Sequence, residues 1–341
     1  MGGGEGCVCP PAGPQYFVDV NGGTATGPTG AHSPVSCRFS TLAAGLAAAT
    51  APGSVVTAVG SVSGAPVTFH ESGPLVVAPG VTLTSDATPC SATAAPPCNH
   101  VYSVVANAPA SPFVKLGAGA TISELDIEPS SAGANGIETD CGSSAGPVTV
   151  VDVKVGNAAK TGVYHSGSCP LSLDSSTITG AGESGVIIDS TSATNAAATL
   201  LNNVVTGNRA TISHPVSGAR FGGGLVVLGD QPLSLVARGN RFTSNQHDQV
   251  LVLMTGSLNL SGGTSQAACT ATPPTANTIG CYDTANGGVG LSANAAGVDA
   301  SYDQWQTNPP VACVPPASCG GKDYLGPITT NGSCAANTTC P

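Results

Sequence analysis

The chain has 341 residues, of which 8% are charged and 4% aromatic, with 46 Gly and 27 Pro. Nine Lys and Arg stand against nineteen Asp and Glu, a formal charge of −10. That balance excludes nucleic acid, whose affinity rests on Lys and Arg neutralising phosphates, and disfavours anionic membranes and strongly acidic polysaccharides unless a local patch overrides the field.

Residues 1–15, opening MGGGEGCVCPPAGP, read as a flexible tether. A Gly-rich lead of this kind follows the lipidated Cys of lipoproteins, so a lipid anchor ahead of the chain is one expectation. An ordinary trimmed secreted protein is the other. YFVDV (16–20) alternates as a strand, and NGGTATGPTGAHSP is a loop. In CRFSTLAAGLAAATAPG, Ser40 or Thr41 can cap a helix that contains Leu46 and stops at Pro52-Gly53. It would cover the open end of a sheet, where unpaired strand edges must be blunted. SVVTAVG, PVTF and PLVVAPGVTLTSD follow as short strands.

Through the middle of the chain a two-strand pattern recurs. Ile127, Val155, Ile178, Val205 and Phe242 form one column, with spacings of 28, 23, 27 and 37. Ile137, Val163, Val186, Leu225 and Val250 form a second, with spacings of 26, 23, 39 and 25. Such a repeat without helical periodicity is the mark of a solenoid. The expected fold is all-β: one single-stranded, right-handed parallel β-helix over 16–308, with an N-terminal capping helix and disulfide-closed loops. Residues 309–341 read as a stapled C-terminal tail packed on it. Insertions near 87–100 and 207–220 leave the regular coil, and 264–288 is a further Cys-closed loop. The segment GVGLSANAAGVDASYDQW looks like a final coil.

Thirteen Cys without metal-ligand spacing point to disulfides and an oxidising, extracellular or cell-surface compartment. Nearest partners in sequence are Cys90–Cys98, Cys269–Cys281, Cys313–Cys319 and Cys334–Cys340, with Cys141–Cys169 bridging successive coils. Cys7, Cys9 and Cys37 remain without an assigned pairing.

The segment from Phe17 to Asp86 resembles the start of the bacterial DUF1565-type β-helix proteins. The matching pieces are Asp19-Val20-Asn21-Gly22, Arg38-Phe39-Ser40-Thr41-Leu42, Leu46-Ala47-Ala48-Ala49 and Pro52-Gly53-Ser54-Val55-Val56. PLVVAPGVTLTSD fits that family's next coil, and GVDASYDQW resembles its closing strand. The resemblance implies a secreted or cell-surface β-helix; its motifs are structural and carry no activity.

Chemistry is sparser. Asp126 and Glu128 share a strand face, Glu138 and Asp140 do so one strand later, and Asp152 follows on the next coil. Coils stack about 4.8 Å apart, so these acids can approach glycosidase separations. A solvated acidic face, or a calcium site, is the plainer reading of them. Asp19, Asn21 and Asp86 offer oxygen ligands for a structural calcium, or simply Asx turns; no other cofactor is expected. His247-Asp248 is similar to the His-Asp of the Asp-Pro-His-Asp segment of alginate epimerases, in two residues only. Tyr164-His165 could pair as acid and base, but alternation turns His165 inward with Val163. Asn202, Asn203, Asn208, Asn240 and Asn245 look like turn or ladder asparagines. Tyr164, Tyr302 and Trp305 are the aromatic platforms a glycan would use. If Val186, Leu225 and Val250 face inward, Ile187, Val226 and Leu251 form an outward apolar strip that needs a cover, from the tail or from another surface protein. The Asn-Thr-Asp, Gly-His-Gly and Arg-Ile-Lys motifs of β-helix hydrolases and lyases do not occur. The reading is therefore a structural, adhesive or glycan-binding surface protein, with a polysaccharide-degrading hydrolase or lyase on the same fold as the alternative.

Overall fold

The computed structural model describes residues 15–18, 37–58, 67–85, 103–106, 112–129, 135–141, 146–191, 196–209, 212–213, 220–229, 233–254, 257–261, 266–270, 275–282, 289–293, 297–313, 322–330 and 332–334. Among them, short strands stack into three parallel sheets, one of twelve strands and two of nine. Here the twelve-stranded sheet is sheet I, the nine-stranded sheet from Thr68–His70 to Gln304–Trp305 is sheet II, and that from Leu75–Val77 to Tyr324–Leu325 is sheet III. The chain visits them in rotation. One coil runs Val148–Val151, Lys154–Gly156 and Thr161–Ser166; the next runs Leu171–Asp174, Thr177–Thr179 and Ser184–Asp189. This is a parallel β-helix.

Both interior columns hold. In sheet II, Ile127 pairs Val155, then Ile178, Val205 and Phe242 in register, and continues through Ile279 to Trp305. In sheet III, Ile137, Val163, Val186, Leu225 and Val250 align and continue to Leu291. All are buried in one core. Alternation puts their sequence neighbours outside. Ile187, Val226 and Leu251 accordingly pack as a separate cluster with Tyr164, Leu228 and Leu253. They are 4%, 0% and 5% exposed, so the strip is covered within this chain and is not an open face for a second protein.

The sheet I to sheet II corner explains why the coil bends where it does. Glu124, Asp152, Ser175, Asn202 and Tyr302 occupy left-handed backbone with φ of 51–58°, and Gly239 does so at 66°. The residue after this bend points inward, and three successive coils supply asparagine. Asn203 donates through Nδ2 to Asn240 Oδ1 (2.9 Å), Asn240 to Asn277 Oδ1 (3.0 Å), and Asn277 to Asp303 Oδ1 (3.1 Å). Each backbone N–H also donates to the next side-chain oxygen at 2.9–3.1 Å. Asn208 and Asn245 form a shorter ladder at the sheet II to sheet III corner, closed by Gln249. The ladder amides inside the solenoid are thereby paired, as burial demands.

The helix Leu42–Ala48 lies at the N-terminal end, with Leu42 and Leu46 buried. Of the two expected caps it uses Thr41, whose side chain accepts from Ala44 N at 3.2 Å. The remaining free N–H groups meet Glu71, a buried carboxylate that accepts from Leu42 N (2.7 Å) and Ala43 N (3.2 Å). Burial raises the Glu71 pKa and these hydrogen bonds oppose the rise.

Two disulfides are seen in full. Cys141–Cys169 joins successive coils as expected. Cys269 pairs Cys334 across a separation of 65, not Cys281, and Cys334 is therefore not joined to Cys340. Closing the longer loop costs only about 1.5 kcal/mol more entropy than the nearest-neighbour choice, so native packing decides the pairing. Cys281 and Cys313 are also disulfide-bonded. The Cys90–Cys98 pairing, and Cys319 and Cys340, lie outside the described residues, as do Cys7 and Cys9. Strands Tyr324–Leu325 and Ile328–Thr329 extend sheets III and I beyond GVDASYDQW by a further rung.

Candidate functional site

Alternation fixes which side chains the outer flank can offer. In sheet II, Ile127 points in, so Asp126 and Glu128 point out. The next rung brings Lys154 beside Asp126. Its Nζ lies 2.7 Å from Asp126 Oδ2 and 3.9 Å from Glu128 Oε1. The hydrogen bond to Asp126 raises the Lys154 pKa against its partial burial. Asp126 is 7% exposed and Glu128 more open, with a side chain 43% exposed. A lysine held between two acids ties Asp126 down and leaves no free acid–base pair there.

In sheet III the outward column runs Lys115, Glu138, Tyr164, Ile187. Glu138 accepts from Asn135 Nδ2 at 3.0 Å. Tyr164 donates its hydroxyl to Asp189 Oδ2 at 2.9 Å, and Asp189 Oδ1 accepts from Thr191 N at 2.9 Å. Burial, and then Asp189, raises the Tyr164 pKa. Asp140 lies on the strand Ile137–Asp140 in register with Gly117; its side chain is outside the described residues. The four acids flagged from sequence thus lie on two neighbouring sheets, Asp126 and Glu128 sharing Lys154 and Glu138 held by Asn135.

His165 points inward, fully buried, with Nδ1 3.0 Å from Thr139 Oγ1. Burial lowers its pKa to about 4. It belongs to the core and does not pair with Tyr164. Trp305 is also fully buried, at the foot of the sheet II column, so it is no platform for a ligand. Tyr302 sits in the left-handed bend position, its ring against Gly332. Tyr164 is the platform that stands on the outer flank. Asp19, Asn21 and Asp86 lie outside the described residues. Among the described residues no group of three or more His, Cys, Asp or Glu could hold a metal ion. No helix there is long and apolar enough to cross a membrane.

A constellation that sequence reasoning missed sits at the sheet II to sheet III corner. Thr161, Ser184, Gly223 and Asp248 are in register at the start of four successive strands. The residues just before them, Lys160, Glu183, Gly222 and His247, therefore form one column. Glu183 N donates to Lys160 O at 3.1 Å, which fixes the first step. His247 is in left-handed backbone (φ 61°) with Nδ1 3.4 Å from Asp248 Oδ1. Asp248 is 4% exposed and also accepts from Val289 N at 3.1 Å. Burial raises the Glu183 pKa, opposed by Lys160. Exposed Arg209 lies one position aside, its N–H donating to Ala181 O at 2.7 Å. The signal in the sequence was the alignment of whole coils, which the insertion between Arg209 and Gly222 obscures.

A shallow cavity of about 480 Å³ on the outside of sheet I is lined by Ser234, Asn259, Asp299, Thr329 and apolar neighbours. Asp299 and Asn259 are occupied there by Ser301 N and Ser261 N at 3.1 and 2.9 Å, so it offers no acid–base pair.

No family model matches the chain, and no curated protein matches it. Two solved structures are similar in outline. The crystal structure of pectate lyase Pel9A aligns at 12% identity and a TM-score of 0.42, over 83% of this chain and 77% of the other. The A-module of the Azotobacter vinelandii mannuronan C-5 epimerase AlgE4 aligns at 14% identity and a TM-score of 0.43, over 84% and 78%. Neither likeness reaches the level that assigns an activity.

Proposed function

We propose that the chain is an extracellular, disulfide-stapled β-helix that binds a glycan along the outer flank of sheets II and III. The observation that supports this is Tyr164: a half-buried ring on the outside of the solenoid, held by Asp189, in register with Glu138. A ring of fixed tilt stacks on the C–H face of a sugar, and carboxylates one rung away accept its hydroxyl protons. Parallel rungs extend the flank along the rod, which gives a linear polymer a continuous face to follow. The low charge fits a neutral glycan better than a polyanion.

Binding to a panel of neutral and acidic polysaccharides tests the reading. Tyr164→Ala should weaken the best binder about tenfold, the effect of one aromatic anchor. Tyr164→Phe, which keeps the ring, should stay close to the wild type. Absence of binding to any glycan, or unchanged affinity in Tyr164→Ala, would refute it.

A further inference from the structure

We propose that the cavity on the outside of sheet I is a second binding site, which takes a sugar unit of a neutral saccharide. It lies on a different sheet from Tyr164 and shares no residue with the flank of sheets II and III.

A break in strand pairing makes the cavity. The strand Leu233–Arg238 pairs with Ala196–Leu201 at all six positions on one side. On its other side it meets Ser257–Asn259 at one position, Val236 with Asn259. Ser257–Asn259 in turn pairs along its full length with Gly297–Asp299. The wall of the solenoid is parted beside Leu233–Leu235, and the cavity of about 480 Å³ sits at the parting. Small-molecule sites run to about 300–1,000 Å³, with mostly apolar walls and a few placed polar groups. Here the apolar part is Leu233, Leu235, Leu258 and Val298, each buried. Ser234, Asn259, Asp299 and Thr329 form the polar part. Gly297 lies between, and an added Cβ there would meet nothing within 4 Å. The space is left open by the absence of a side chain.

The polar groups are fixed and still have capacity. Asn259 Oδ1 accepts from Ser261 N at 2.9 Å, and Asp299 Oδ1 accepts from Ser301 N at 3.1 Å. Each turn holds the side chain by one atom and leaves Asn259 Nδ2 and Asp299 Oδ2 for a ligand. The hydroxyls of Ser234 and Thr329 have no protein partner among the described residues. The rim thus offers an amide donor, a carboxylate acceptor and two hydroxyls that act both ways. A pyranose presents the matching surfaces: C–H groups toward hydrocarbon and hydroxyls at its edge. No Lys or Arg lines the cavity, and Asp299 repels an anion, so a phosphorylated or acidic sugar does not fit. An apolar ligand would cover the rim groups without pairing them.

The same outward column continues in register from Asn259 through Val236 to Thr199, Ser172, Thr149 and Thr121. These four side chains are half-buried, and their hydroxyls have no protein partner among the described residues. They repeat at about 4.8 Å, so a saccharide longer than one unit finds further hydrogen-bond partners along sheet I.

The experiment follows backbone amide shifts of the full chain during titration with glucose, galactose, mannose and xylose, and with their di- and trisaccharides. Shifts are expected at Ser234, Asn259, Asp299 and Thr329, with affinity rising several-fold from one unit to three. Gly297→Val fills the open space at a strand position outside left-handed backbone. Its unfolding midpoint should hold or rise while affinity falls about tenfold or more. Asp299→Asn keeps an oxygen for Ser301 N and loses the charge. It should weaken neutral sugars about tenfold and narrow the preference for glucose over glucuronate, which a purely structural role would leave unchanged. Tyr164→Ala should leave all these shifts intact. No shift at the four residues with any saccharide, or wild-type affinity in Gly297→Val, would overturn the site. Loss of the shifts in Tyr164→Ala would also overturn it and place the sugar on the other flank. Polysaccharide binding that depends on Tyr164 while sheet I stays silent refutes this site alone. Shifts in sheet I with Tyr164→Ala unchanged toward polysaccharides refute the flank alone.

Discussion

Asn202 and Asn240 are the same residue type, one coil apart at the same corner, and their replacement by Ala should differ several-fold in cost. Asn240 is 1% exposed. Its Oδ1 accepts from Asn203 N at 3.1 Å and Asn203 Nδ2 at 2.9 Å, and its Nδ2 donates to Leu200 O at 2.8 Å. Asn240→Ala leaves the Asn203 N–H and the Leu200 carbonyl without this partner in a dry interior. At about 1–3 kcal/mol for each stranded group, the loss is about 2–6 kcal/mol before any cavity term. Asn202 is exposed, with φ of 57° and one long contact, Nδ2 to Asp174 Oδ1 at 3.4 Å. Asn202→Ala pays only the left-handed backbone penalty, about 1 kcal/mol, and Asn202→Gly should be neutral or slightly stabilising. Urea unfolding with disulfides intact, followed by circular dichroism and compared at constant m, measures both. Equal shifts for the two Ala variants would refute the ladder as a source of stability.

Three further outcomes are expected. The His165 pKa lies near 4 in the fold against about 6.5 in the unfolded chain. The unfolded state therefore takes up a proton first, so stability is full above pH 6.5 and falls by about 3 kcal/mol as pH drops to 4. His165→Leu should flatten that slope in pH-dependent melting, since Thr139 Oγ1 keeps its contacts with Ser166 at 3.2 Å. Replacing Cys141 and Cys169 together by Ala should lower stability by about 3–4 kcal/mol, and non-reducing peptide mapping should recover a Cys269–Cys334 cross-link; a Cys269–Cys281 link would contradict the fold. Glu71→Ala leaves Leu42 N and Ala43 N unpaired, so amide exchange in the helix should rise more than in the neighbouring strands.

The columns were legible because apolar residues alternate along each strand and the coil length varies little where no loop intervenes. Ile127, Val155, Ile178 and Val205 needed nothing but their spacing. The inward turn of His165 followed from the same alternation. Trp305 was misread because its place depends on register, not on its type: the column that begins with aliphatics ends on an indole. Cys269 was misassigned because sequence distance is a poor measure of spatial distance in a solenoid, where residues a coil apart touch. The column of Lys160, Glu183, Gly222 and His247 was invisible for a related reason. An insertion separates their coils, and only the strand register restores the column they share.

The long ladder has a direction. Each Nδ2 sends one bond toward the C-terminal end, from Asn203 through Asn240 and Asn277, while its other bond returns to a carbonyl of an earlier coil, and the last acceptor is the carboxyl of Asp303. Three amide dipoles are thus aligned, and the Asp303 carboxyl sits where their positive ends converge. The row has a head and a tail, so its members are not interchangeable. Exchanging Asp303 for Asn would put a donor group at a position that now only accepts, and the row would call for one more coil to receive it. The chemistry of a single residue in this way marks where the stack of asparagines must end.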